Sequence, residues 1–69
     1  MPTRDPRVDP RPGDVLIYGP QWQMERAEVL GLVNGEIAYR YRVGGSVFLC
    51  SLNEWQDLMR GAEVIHAAE

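Results

Sequence analysis

Ala27-Glu28-Val29-Leu30-Gly31-Leu32-Val33-Asn34-Gly35-Glu36-Ile37-Ala38-Tyr39-Arg40-Tyr41-Arg42-Val43 sets an Asn-Gly pair between two apolar runs rich in β-branched and aromatic residues. A type I′ turn needs positive φ at both central residues. Asparagine and glycine accept that at the least steric cost, so this segment reads as a β-hairpin. Ala27 to Val33 should pair antiparallel with Glu36 to Val43. The second run alternates: Ile37, Tyr39, Tyr41 and Val43 share one face, and Ala38, Arg40 and Arg42 share the other. The first set is expected in the core and the arginines in water.

Working towards the N-terminus, Val15-Leu16-Ile17-Tyr18 is a short strand, bounded by Gly13 and by Gly19-Pro20. Residues 20 to 25 read as a polar loop carrying Trp22 and Met24. Residues 1 to 12 hold four of the five prolines. Proline removes backbone donors and disfavours helix in the residue before it, so residues 1 to 11 read as an extended Pro/Arg-rich arm, a tail outside the domain at 12 to 69.

Towards the C-terminus, Gly44-Gly45 turns the chain into a fourth strand, Val47 to Cys50. Whether Phe48 or Leu49 points inward depends on loop length, because a one-residue slip exchanges the two faces. Ser51-Leu52-Asn53-Glu54 has the form of a capping box. It opens a helix from Leu52 to about Arg60, with Leu52, Trp55, Leu58 and Met59 on one stripe and Gly61 as the stop. Val64-Ile65, flanked by Glu63 and His66, reads as a last strand.

This order fits a mostly β fold: a small SH3-like five-stranded barrel or a bent antiparallel sheet, with one short helix before the last strand. The opening Pro12-Gly13-Asp14-Val15-Leu16 and the Asn34-Gly35 turn resemble SH3-like modules of the KOW and Tudor-like kind, over residues 12 to 66. The chain is also similar to small proteins encoded by bacteriophages and prophages. That resemblance rests on Arg11 to Asp14, Tyr41-Arg42, Gly44-Gly45, Ser51 to Trp55 and Ala62 to Val64. It implies a small accessory protein that binds a host protein, and it brings no catalytic residues.

Composition bounds the function classes. A chain of 69 residues allows one domain. Its single cysteine, Cys50, cannot form an internal disulfide, which suits a reducing, cytoplasmic setting. No secretory signal and no bilayer-spanning apolar stretch is read, so a membrane is not expected as a partner. The net charge is −3 and all seven basic residues are arginine. That balance disfavours nucleic acid, where a basic surplus normally drives affinity.

Catalysis needs a nucleophile or base with partners in reach. Cys50 in a strand reads as a packing thiol and His66 as a terminal surface residue. Two soft ligands cannot complete a four-ligand zinc site. No phosphate loop is present, since Gly44-Gly45 is a hairpin turn. No enzyme, metal or cofactor is therefore expected. The expected binding residues are Trp22, Met24, Arg40, Arg42 and Phe48, a mixture of aromatic and arginine anchors common in interfaces. A host protein is the expected partner. The alternatives are nucleic acid, held by Arg4, Arg7, Arg11, Arg40 and Arg42 with Tyr41 or Phe48, a nucleotide-like ligand at an oligomer interface, and a second copy of the chain.

Overall fold

Asn34 (φ 52°) and Gly35 (φ 81°) both take the left-handed conformation that the hairpin reading requires. In the computed structural model, which describes residues 4–20, 24–41 and 45–68, this turn joins β2 (Glu25–Val33) to β3 (Glu36–Arg40). The remaining elements are β1 (Val15–Tyr18), β4 (Val47–Cys50), α1 (Leu52–Leu58) and β5 (Glu63–His66). The strands form one antiparallel sheet in the order β4-β3-β2-β1-β5. β4 and β5 are its two edges, and among the described residues they do not pair, so the sheet is open. No helix among the described residues is long and apolar enough to cross a membrane.

The register of the β3–β4 hairpin, which the sequence leaves open, is Ile37↔Cys50, Ala38↔Leu49 and Tyr39↔Phe48. Directly opposed residues share a face. Phe48 and Cys50 thus lie on the core side with Tyr39 and Ile37, while Val47 and Leu49 lie on the other side with Arg40 and Ala38. β2 carries an irregularity between Val29 and Gly31, which lets a nine-residue strand serve both neighbours while keeping Ala27 and Val29 in the core.

One core fills the space between this face and α1. It comprises Leu16, Ala27, Val29, Ile37, Tyr39, Cys50, Trp55, Met59 and Ala62. Ser51 caps α1 as expected: its hydroxyl accepts the Glu54 N–H, and the Glu54 carboxylate accepts the Ser51 N–H. The helix ends at Leu58, short of the expected Arg60. Met59 already has φ −92° and ψ 7° at the C-cap, and Gly61 turns the chain out at φ 80°. Trp55 and Met59 are buried and Leu58 is half-buried, but Leu52 departs from the expected stripe and is 46% exposed. As the first residue of the helix it lines a shallow surface hollow with Pro10, Leu32 and Ile37 instead of entering the core.

The largest departure concerns the N-terminal arm. The sequence reads residues 1 to 11 as an extended tail, but among the described residues Asp5 to Asp9 form a helical turn, with the Val8 and Asp9 N–H groups donating to the Asp5 carbonyl. Pro6 and Pro10 are buried. The Trp55 indole N–H donates to the Pro6 carbonyl at 2.9 Å, and the Gln56 amide donates to the Val8 carbonyl at 3.1 Å. Prolines suit this strap because they expose apolar rings without leaving a backbone donor to satisfy.

Asp14 fastens the strap. Its carboxylate accepts two bonds from Arg4, at 2.5 Å and 2.8 Å, one from the Arg11 N–H at 2.8 Å and one from the Ala68 N–H at 2.7 Å. Arg4 also donates to the Ala68 carbonyl. A side chain at 0% exposure thereby ties the arm, the lead-in to β1 and the C-terminal end of the chain at one point. Burial pushes the Asp14 carboxyl up, but the four donated bonds outweigh it and hold it below its ordinary value.

Candidate binding site

Aromatic residues at alternate positions of one strand project from one face, and here a second strand adds to them. Tyr39 and Tyr41 follow that spacing at the end of β3, Phe48 opposes Tyr39 across β4, and Tyr18 ends β1. The rings run as a continuous series. Trp55 meets Tyr39 edge-on at 5.3 Å between centroids, Tyr39 meets Tyr41 at 5.7 Å and Phe48 at 5.9 Å, Tyr41 meets Phe48 at 5.1 Å, and Tyr18 meets Tyr41 at 6.0 Å. Tilted and edge-on pairs at these separations are favourable beyond the apolar area they bury.

One end of the series is buried and the other is open. Tyr39 lies beneath α1 against the Trp55 ring that the helix buries, whereas Tyr18, Tyr41 and Phe48 line a cleft of about 430 Å³ together with Glu25, Gly45 and Ser46. No α1 residue is part of that lining. Phe48 is 42% exposed although it sits on the core face, because the helix stops short of it. Burial, and then the neighbouring Tyr41 phenol, push the Tyr18 and Tyr39 hydroxyls far above the ordinary tyrosine value. Both rings therefore stay neutral across the physiological range and can donate a hydrogen bond.

Of the binding residues expected from sequence, Phe48 is in this cleft. Met24 is exposed and adjoins Glu25 in the chain. Arg40 lies on the opposite face of the sheet, where its guanidinium meets Glu28 at 3.0 Å across the β2–β3 pair. Its neighbours there are Val47 and Leu49, 57% and 51% exposed. Arg40 and Phe48 thus belong to two different surfaces. Trp22 and Arg42 lie outside the described residues. Sequence reasoning did not single out Tyr18 and Glu25. The available signal was their position at the facing ends of β1 and β2, where Tyr18 pairs with Glu25.

Of the arginines expected to form a basic footprint, the four among the described residues are each engaged by a carboxylate. Arg4 meets Asp14, Arg7 meets Asp5 at 3.0 Å, Arg11 meets Asp9 at 3.8 Å and Arg40 meets Glu28. Arg60 meets Asp57 at 3.0 Å. Cys50 is buried opposite Ile37 on one edge strand, and burial pushes its thiol up, away from the reactive thiolate. His66 is exposed on the other edge strand, opposite Val15. Among the described residues no three His, Cys, Asp or Glu side chains gather as a metal site would require. No family model matches the chain, and neither the curated proteins nor the solved structures contain a match.

Proposed function

We propose that this chain is a non-enzymatic binding module of SH3-like design that engages a protein partner through the Tyr18–Tyr41–Phe48 cleft. The observation that carries this reading is the half-covered aromatic series: a folded core would close over its rings, and here three of them line an open concavity. Rigid aromatic side chains give large contact area at little conformational cost, as interface anchors do. The strand order β4-β3-β2-β1-β5, with α1 between β4 and β5, is the order an SH3-like barrel would have, and it supports that finer reading of the open sheet.

The partner is a host protein with a basic surface, in keeping with the net charge of −3 and with the phage-type resemblance. The carboxylate partners of Arg4, Arg7, Arg11 and Arg40 count against nucleic acid, because an arginine already paired gains less from a phosphate. Affinity capture from nuclease-treated host lysate tests the reading. One partner retained by the wild type and by Arg40→Ala, and lost with Phe48→Ser, is the expected result. Capture that disappears with nuclease would move the function to nucleic acid.

A further inference from the structure

β4 pairs with β3 and ends the sheet, so among the described residues one side of its backbone has no strand partner. Edge strands are normally guarded by charge, proline or a bulge, which stop another strand from adding to them. β5, the other edge, carries Glu63 and His66, and its pairing with β1 is interrupted by a register shift. β4 differs on every count. It reads Val47-Phe48-Leu49-Cys50, its register with β3 is unbroken, and Val47, Phe48 and Leu49 are all exposed. It lies within Val43 to Asn53, the longest stretch of the chain without an acidic or basic residue.

We propose that β4 pairs antiparallel with β4 of a second copy about a two-fold axis at Phe48, joining two five-stranded sheets into one. A two-fold contact sets a patch against itself, so charges on it are brought near like charges. An uncharged strand avoids that repulsion in a chain whose net charge of −3 otherwise drives copies apart. Directly opposed residues share a face, so the axis must fall on a residue for both cores to lie on one side. Centred on Phe48, Val47 faces the partner's Leu49 and Leu49 faces the partner's Val47. Exposed apolar side chains are then covered by each other on the face away from α1. Centred on Leu49, Val47 would instead face the partner's Ser51, apolar against polar. The ladder runs through the β4 backbone and the face opposite the cleft, so this pairing does not rest on what the cleft binds. With four residues in β4 the interface is smaller than that of a permanent dimer, which sets half-dissociation on the order of 100 µM.

Sedimentation equilibrium of the intact chain, from about 10 µM to about 1 mM, tests the pairing. The wild type should pass from monomer to dimer mass over this range. Leu49→Lys and Val47→Glu, both at exposed positions, should each raise the midpoint concentration about fivefold or more, with the fold verified by circular dichroism. Combined in one chain, they oppose Glu to Lys across the axis and should return the midpoint towards that of the wild type. Leu32→Lys, exposed near the Asn34-Gly35 turn, should leave it unchanged. A wild type still monomeric at the highest concentration overturns the proposal. So does a dimer that neither single substitution weakens, or a double variant that dissociates more readily than both singles.

Discussion

The Arg4 guanidinium meets the Asp14 carboxylate with two parallel bonds, Nη1 to Oδ2 at 2.5 Å and Nη2 to Oδ1 at 2.8 Å, joining the N-terminal arm to the start of β1. Because Asp14 also accepts from Arg11 and Ala68, one buried carboxylate organises both ends of the described chain. Removing its charge leaves these donors without an acceptor. Asp14→Ala should lower stability by on the order of 3 kcal/mol, read from urea unfolding, and residues 4 to 11 should become sensitive to protease. Wild-type stability would contradict the fastening role.

The same carboxylate sets the acid limb of stability. Its folded pKa lies below the ordinary value of 3.8, so its contribution is complete above that value and is lost as pH falls through the folded pKa. On the alkaline side Cys50, Tyr18 and Tyr39 have folded pKa values above their ordinary 9.0 and 10.0. Their contribution is complete below those values and declines as pH rises beyond them. A melting-temperature profile should therefore be flat near neutrality, fall below about pH 4 and fall again above about pH 9. In Asp14→Asn the acid fall should shrink.

Gly13 has φ 96°, and a Cβ there would stand 3.2 Å from the Ala68 Cβ. Both the conformation and the approach of the C-terminal end select glycine. Gly13→Ala should cost about 1–3 kcal/mol, and amide exchange should quicken at Ala68 before it does in β2 and β3.

The indole of Trp55 separates packing from strapping. Trp55→Phe keeps an aromatic ring against Tyr39 but removes the N–H that holds the Pro6 carbonyl. A loss of about 1–3 kcal/mol is expected, with increased mobility on the ns timescale at residues 4 to 9, measured by NMR relaxation. Unchanged order in that segment would show that the prolines alone hold it.

Much of the fold was readable because its signals are local. Asn34-Gly35 specifies its own turn, and Ser51 and Glu54 cap their own helix. The arm was not readable, because its order depends on contacts remote in sequence: Arg4 with Asp14 ten residues on, Asp14 with Ala68 at the far end, and Pro6 with Trp55. No periodicity within residues 1 to 12 reports such contacts. The site was half readable. Phe48 could be named as an anchor, but its face hung on the length of the Gly44-Gly45 loop. Only the Tyr39↔Phe48 register separates it from Arg40 and joins it to Tyr18 and Tyr41.

The most direct test pairs stability with capture in Phe48→Ser. Phe48 is already 42% exposed, so its loss should cost only about 1 kcal/mol in urea unfolding, while a nuclease-resistant protein partner held by the wild type should no longer be retained. A folded Phe48→Ser that still retains the partner at the wild-type level would contradict the assignment of the aromatic cleft as the binding surface.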